Sequence, residues 1–189
     1  IYQDDGMEGQ SNPINYEHVE QVVHHGVRLL TGVNAVGPAF ESLFPGIHSG
    51  STIAIKVNCI GPTDTRWEAA RGVVSGLSQM LGGTYDISQV TLYDRHNLGY
   101  HGYTPDRFTF NGHTAVISST SSPSNYYVYG GHRLSSYIVN GDYVINIPAL
   151  KSHSEPGNEI TVAMKNHYGS CSPSSLCSDW VGMLTVNAD

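Results

Sequence analysis

The sequence predicts an α/β fold in which helices flank a mostly parallel β-sheet built around a βαβ unit. Short β-branched runs alternate with a segment of helical periodicity: "STIAIKVNC" at 51–59, a helix of about five turns at 64–83, and "SQVTLYD" at 88–94. A strand, a helix and a strand in this order form a crossover, which makes the two strands parallel neighbours. The length of 189 residues suits one ordinary domain with a sizeable core.

The first half of the chain contains a predicted arm and two predicted helices. Residues 1–13 are polar and predict an arm, which leaves 14–189 as a single α/β domain. The first helix is predicted to begin after Asn15 as N-cap and to end at Gly32. Its predicted apolar face consists of Val19, Val22, Val23, Val27 and Leu30. The second helix is predicted to begin after a cap at Asp64 or Thr65 and to stop at Gly82–Gly83. Its predicted apolar face consists of Trp67, Ala70, Val74, Leu77 and Leu81.

The second half is predicted to alternate between loops and short elements. Residues 95–113 are rich in glycine and predict irregular structure. The runs "TAVISST", "NYYVYGG" and "DYVINIPAL" predict strands, and "RLSSYIVNG" predicts a short helix. The segment 158–169 is ambiguous, because its β-branched start fits a strand while Asn158 as cap and Gly169 as stop favour a helix.

Composition and charge exclude several classes of partner. The formal net charge of -7 argues against nucleic acid or an anionic membrane as the main partner. No apolar run approaches the roughly 18 residues of a membrane span. Charged residues make up 13%, about half the usual share, so Ser, Thr, Asn, Gly and Tyr must cover much of the surface. This composition favours an extracellular or periplasmic location, and Ile1 in place of a methionine suggests a processed or trimmed chain.

The three cysteines predict one disulfide rather than a cofactor site. Their spacing matches no C-x-x-C zinc site, no ferredoxin run and no haem-attachment motif. A disulfide between Cys171 and Cys177 across "CSPSSLC" is the simplest prediction, with Cys59 left as an unpaired, buried residue.

The three lysines of the chain, Lys56, Lys151 and Lys165, all follow apolar runs. Lys56 and Asn58 close the first predicted strand, Asp94 closes the second, and Lys151 and His153 follow the last. In an open α/β sheet the carboxyl ends of parallel strands share one edge, where ligands collect. We therefore predict a site at this edge, in which the three ammonium groups lie close together. The alternative is that these lysines simply reach water along their aliphatic stems.

The chemistry of such a site follows from its residue types. A lysine among apolar neighbours is an anion receptor, a Schiff-base former or a general base, so Lys56, Lys151 and Lys165 are the candidate catalytic residues together with the imidazole of His153. His153 and His167 are the candidate ligands of a divalent metal, unless they are hydrogen-bonded structural histidines. The remaining candidate ligand-binding residues are Asn58, Asp94, Asn166 and His167.

A loop over 94–106, "DRHNLGYHGYTPD", contributes His96, His101 and Asp106. It is either a metal or substrate loop or a solvated loop.

Three motifs resemble a known prokaryotic family, catalogued as domain of unknown function 362. Its I-K-x-N strand is matched by Lys56 and Asn58, and its T-x-x-x-K-N-x-x-G segment by Thr161, Lys165, Asn166 and Gly169. Its I-N-x-P-x-L-K-[ST]-H strand is matched by Asn146, Pro148, Leu150, Lys151, Ser152 and His153. The resemblance covers roughly 15–170. It implies an α/β fold and association with ferredoxin modules, often in exported proteins, but no established activity.

The chain departs from the family pattern in two ways. It carries no ferredoxin cysteine run, so no iron–sulfur cluster is expected in it, and it stops soon after the K-N-x-x-G motif. A shortened domain is expected to recruit partners, so we predict a homo-oligomer or filament in which the 1–13 arm or the tyrosine-rich 125–137 segment crosses to a second copy.

Three functions remain open from the sequence. The first is an exported ligand-binding or catalytic domain whose Lys/His site takes an anionic ligand or a metal. The second is a non-enzymatic extracellular module that self-assembles. The third is a metal-storage or electron-transfer accessory, which rests on the 10 histidines.

Overall fold

The computed structural model describes residues 14–60, 63–120, 126–129, 132–150 and 166–171. In chain order the helices and strands are α1 (Tyr16–Thr31), α2 (Val36–Glu41), β1 (Ile53–Val57), α3 (Trp67–Ser78), α4 (Met80–Gly83), β2 (Val90–Asp94), β3 (Thr109–Phe110), β4 (His113–Thr114), β5 (Val116–Ser119), β6 (Tyr126–Tyr129), β7 (His132–Ser135), α5 (Ser136–Asn140) and β8 (Tyr143–Ile147). Short 3-10 turns lie at Ile87–Gln89, Leu98–His101, Pro105–Phe108 and His167–Ser170.

The contacts divide the chain into two compact units. The first unit comprises Ile1–Gly50, Arg66–Ser88 and Pro105–Ala115, and contains α1 to α4 and the β3–β4 hairpin. The second unit comprises Ser51–Thr65, Gln89–Thr104 and Val116–Asp189, and contains the remaining strands and α5.

Helix α1 begins and ends where the sequence predicts. The side chain of Asn15 accepts hydrogen bonds from the backbone N–H groups of the first turn, and Gly32 has the left-handed φ of 71° that suits a C-cap. The prediction that Leu30 lies on the packed face is wrong, because its side chain is 75% exposed. Helix α1 packs on α3 through Glu20 and His24, which contact Ser75 and the Gly72 carbonyl, and Leu30 lies beyond this contact.

Helix α3 is shorter than predicted and has a different cap. It has about three turns rather than five, because Leu81 and Gly82 adopt positive φ and interrupt the helical path. The predicted caps are also wrong: the N-cap is Arg66, which makes no side-chain capping bond. Thr65 instead uses its hydroxyl group in the second unit, as described below. The predicted apolar face is correct at its centre, where Ala70, Val74 and Leu77 are buried.

A four-stranded parallel sheet forms the second unit, which confirms the predicted α/β fold. Its strand order is β5-β2-β1-β8, and all three strand pairs are parallel. The chain runs outward from β1 to β2 and β5, and then returns to the other side of β1 to form β8. The order therefore reverses between β1 and β8, and this kind of switch point is where open α/β sheets bind ligands.

In the second half, one predicted strand is confirmed and one predicted helix needs correction. The run "NYYVYGG" does form strand β6, but β6 pairs antiparallel with β7 in a separate two-stranded sheet. The run "RLSSYIVNG" is helical only in α5, because its first residues belong to β7. The sequence also failed to predict α2 and the β3–β4 hairpin. Among the described residues, no helix is long and apolar enough to span a membrane.

Candidate functional site

The ammonium group of Lys56 lies buried at the carboxyl end of β1. The residue is 1% exposed, so the alternative that it reaches water along its stem is wrong. Its Nζ lies 2.6 Å from Oδ1 of Asp94 and 3.2 Å from Oδ1 of Asn166, and it also donates to the carbonyl of Val57. The three N–H donors of the ammonium group therefore match three protein acceptors.

Asp94 supplies the opposite charge from the end of the neighbouring strand β2. One carboxylate oxygen accepts from Lys56, and the other accepts the backbone N–H of Cys59 at 2.6 Å. Both charged groups are buried, and a buried charge is tolerable only when it is paired and hydrogen-bonded. The parallel register places Lys56 opposite Tyr93, one residue before Asp94, so the sheet itself brings the two charges together.

Asn166 connects this ion pair to the far side of the switch point. Its side-chain oxygen accepts from Lys56, while its Nδ2 donates to the backbone carbonyl of Lys56 at 3.3 Å and to Oδ1 of Asn146 at 2.7 Å. Asn146 lies on β8, opposite Lys56 in the register. One buried amide thus links β1 and β8 at their carboxyl ends.

The turn that follows Asn166 lies directly against the ion pair. A Cβ atom on Gly169 would stand 2.3 Å from Oδ1 of Asp94 and 2.9 Å from Nζ of Lys56. The Gly169 carbonyl accepts from the hydroxyl of Thr120 at 3.1 Å, and the Thr120 N–H donates to the Asp94 carbonyl at 2.8 Å. The backbone of the turn thus approaches the ion pair so closely that the last position of the K-N-x-x-G motif has no room for a Cβ atom, which explains the glycine.

A second set of bonds joins the loop after β1 to the end of β8. The hydroxyl of Thr65 accepts the N–H of Asn58 at 2.9 Å and donates to the carbonyl of Ile147 at 2.7 Å. The side-chain oxygen of Asn58 accepts the N–H of Ile60 at 3.2 Å, which folds the start of this loop. Asn58, predicted as a ligand-binding residue, is buried and shapes the loop beside Lys56.

His167 lies next to the network and is only partly buried. Its Nδ1 lies 3.3 Å from the hydroxyl of Ser170, which in turn lies 3.0 Å from the hydroxyl of Tyr93. Burial lowers the pKa of His167 below its usual value, and the positive charge of Lys56 lowers it further. His167 is therefore neutral at pH 7, and a neutral imidazole can accept a proton or bind a metal. Burial likewise raises the pKa of Tyr93 to about 12, so this phenol stays protonated.

A further pair of polar side chains lies in the loops that follow β1 and β2. Oδ2 of Asp64 is 2.5 Å from Nδ1 of His101. The sequence predicts Asp64 as a possible helix cap and His101 as one of several loop residues. The sequence does contain a signal for their proximity. Asp64 follows Asn58, and His101 follows Asp94, by no more than seven positions, so both residues belong to loops at the carboxyl ends of buried strands.

The structure brings together Lys56, Asp94 and Asn166 and places Asn58 and His167 beside them. Other predicted site residues, Lys151, His153, Lys165 and Cys177, lie outside the described residues. The predicted convergence of three ammonium groups and the Cys171–Cys177 disulfide therefore stay predictions. Within the described part of the chain, no group of three or more His, Cys, Asp or Glu side chains could hold a metal ion.

Comparison with known families gave one match over much of this region. The model of the family described as "Domain of unknown function (DUF362)" matches residues 53–177, about two thirds of the chain. The matched range begins with β1 and includes Lys56, Asp94 and Asn166. Comparisons with curated proteins and with solved structures gave no match.

Proposed function

The chain belongs to the DUF362 family, and from that premise we propose that it binds a small anionic ligand at the carboxyl edge of the parallel sheet, beside the switch point between β1 and β8. The observation that carries this proposal is the buried network of Lys56, Asp94 and Asn166, which joins the carboxyl ends of β1 and β2 and, through Asn146, that of β8. Burial of ionised groups costs desolvation free energy, and such groups concentrate at functional sites.

Lys56 organises this site rather than holding the ligand itself. Its three N–H donors are matched by Asp94, Asn166 and Val57, and the charge of Asp94 neutralises its own. A ligand anion would have to displace one of these partners to reach Nζ. The role that fits Lys56 is to hold the 166–171 segment against the strand ends.

We assign the positive charges that bind the anionic ligand to Lys151 and Lys165. Lys165 is covalently joined to Asn166, and Lys151 follows the end of β8 by four residues. In the sequence, Lys165 is therefore adjacent to one residue of the network, and Lys151 is five positions after another, Asn146. His167, which is neutral at pH 7 and partly exposed, is the candidate acid–base group or, with His153, the candidate metal ligand.

Titration of the full chain with inorganic phosphate, sulfate and citrate tests the proposal. We expect saturable binding of at least one anion by calorimetry, with the ring signals of His167 shifting in NMR spectra. Lys151→Met and Lys165→Met should each weaken the Kd by about 10–100-fold, the value of one charge-assisted hydrogen bond.

Arg28→Met is the matched control, because it removes one positive charge from α1 in the other unit. An equal loss of affinity in all three variants would show a non-specific charge effect and contradict the site. The absence of any anion binding would also contradict it. A parallel titration with Zn²⁺ tests the alternative that His153 and His167 bind a metal.

A self-assembling structural module is the second candidate. In the described part of the chain, β5 and β8 are the outer strands of the sheet, and each presents an exposed valine, Val116 and Val144. Exposed strand edges favour pairing with a further copy. Light scattering should then report species above the 20.5 kDa monomer, and a monodisperse monomer at high concentration would contradict this candidate. Export to the periplasm or the medium stays a prediction from composition.

A further inference from the structure

Asp64 and His101 form a close pair at the same edge of the sheet as the proposed ligand site. The Asp64 oxygen and the His101 Nδ1 are 2.5 Å apart, and their side chains are 25% and 21% exposed. Both residues are therefore held in a defined geometry but remain accessible to a small molecule. No role in the network around Lys56 accounts for this pair.

The backbone on both sides of the pair is anchored. Asp64 precedes Thr65, whose N–H and hydroxyl bind the ends of β1 and β8. His101 ends a 3-10 turn that Asn97 caps, and Tyr103 follows it by two residues. The buried Tyr103 hydroxyl donates to the carbonyl of Thr65 at 2.8 Å, which ties the two loops together beside the pair.

A contact of this type determines which ring nitrogen carries the proton. A carboxylate can only accept, so it binds the protonated Nδ1 and leaves Nε2 with a free lone pair. Among the described residues, Nε2 of His101 has no hydrogen-bond partner. A carboxylate on Nδ1 and an open Nε2 are the arrangement that makes histidine a general base.

We propose that Asp64 and His101 form a proton-transfer dyad that acts on a ligand bound at this edge. In this step an O–H bond of the ligand, or of a water molecule beside it, breaks. The electron pair stays on the oxygen and the proton passes to Nε2. Asp64 keeps its hydrogen bond to Nδ1–H and stabilises the imidazolium, so Asp64 is a positioning residue and His101 is the proton acceptor.

This proposal rests on the proposed ligand-binding function, which supplies the substrate class. The substrate would be a small anion that carries a hydroxyl group or orients a water molecule. The two proposals can fail separately. The anion titration does not involve Asp64, and the experiments below need no ligand.

The first experiment measures the tautomer of His101 by nitrogen-15 NMR of the imidazole rings in the full chain. We expect the Nδ1–H tautomer in the wild-type protein, and loss of this preference in Asp64→Ala. His113 provides the matched comparison, because its Nδ1 also contacts a carboxylate, that of Asp86, but the two side chains are 49% and 35% exposed. A wild-type His101 protonated at Nε2 would overturn the proposal without any variant.

The second experiment measures the acylation rates of individual histidines by diethyl pyrocarbonate with mass spectrometry. The Nε2 lone pair attacks a carbonyl carbon, the bond from that carbon to the bridging oxygen breaks, and ethyl carbonate leaves while the Nδ1 proton passes through Asp64 to solvent. We expect the ratio of the His101 rate to the His113 rate to fall about tenfold or more in Asp64→Ala. This is less than the roughly 10²–10⁴-fold that a positioned acid–base group contributes to catalysis, because the imidazole itself stays in place. An unchanged ratio would overturn the dyad, and use of the ratio removes any effect of the variant on the fold as a whole.

Discussion

Replacing Lys56 with methionine should lower the free energy of unfolding by about 3–5 kcal/mol. Methionine keeps an unbranched side chain but removes the ammonium group, so the buried Asp94 carboxylate loses its counter-charge and keeps the N–H of Cys59. Breaking one side of a buried ion pair typically costs about 3–5 kcal/mol. Since domains of this size are stable by only about 5–15 kcal/mol, the variant should lose a large share of its stability.

A double-mutant cycle isolates the contribution of the pair. Asp94→Asn alone leaves an uncompensated ammonium group and should also be strongly destabilising. In the Lys56→Met background the same change removes the remaining buried charge of the pair, so the double variant should be more stable than additivity predicts by about 1–3 kcal/mol.

Urea unfolding followed by circular dichroism measures these differences. With a slope of about 2 kcal/mol per molar urea, Lys56→Met should lower the midpoint by about 1.5–2.5 M. Asp86→Asn is the control, because this partly exposed carboxylate lies outside the network. The asparagine oxygen can still accept the N–H of Ser88, so the midpoint should fall by much less than in Lys56→Met. A Lys56→Met midpoint close to that of the control would refute the claim that a charged, buried pair holds the strand ends together.

Three further predictions concern the turn beside the ion pair. Gly169→Ala should destabilise the fold by about 1–3 kcal/mol, because the new methyl group would stand 2.3 Å from a buried carboxylate oxygen. Gly26→Ala is the control, because its methyl group meets nothing within 4 Å, and it should stabilise α1 by about 0.5–1 kcal/mol in the same urea assay. If both glycine variants changed the free energy of unfolding equally, the close approach at Gly169 would be contradicted. Because burial lowers the pKa of His167 below 6.5, the unfolded chain takes up a proton that the folded chain does not, so stability should fall as the pH drops below about 6.5. The slope of that loss should be smaller in His167→Asn, and an identical slope would contradict the assignment. We expect Cys171 and Cys177 to be bonded, so reduction of the unfolded chain before alkylation should give a larger mass than alkylation alone. An equal mass with and without reduction would exclude the disulfide.

Much of the sheet could be predicted from the sequence, because the relevant signals are local. The β-branched runs that became β1, β2 and β8 are each bounded by polar or glycine residues, and the order of strand and helix requires parallel pairing. The cap at Asn15 and the stop at Gly32 are likewise set by short-range hydrogen bonds and by the φ that glycine tolerates. Lys56 and Asp94 could be placed at one edge for the same reason, since strand polarity alone brings their backbone positions together.

The tertiary structure alone decided what these groups contact. The sequence could not tell that three acceptors from separate segments surround Lys56, or that Gly169 must lack a Cβ because the turn lies on the ion pair. It offered Asp64 or Thr65 as a helix cap, although the hydroxyl of Thr65 joins the loop after β1 to β8, and it did not connect Asp64 with His101 of the 94–106 loop. Apart from the bonds of Lys56 to Val57 and of Asn58 to Thr65, these contacts join residues distant in the chain. Hydrogen-bond partners at such distances are chosen by the packing of the whole sheet edge rather than by local propensity.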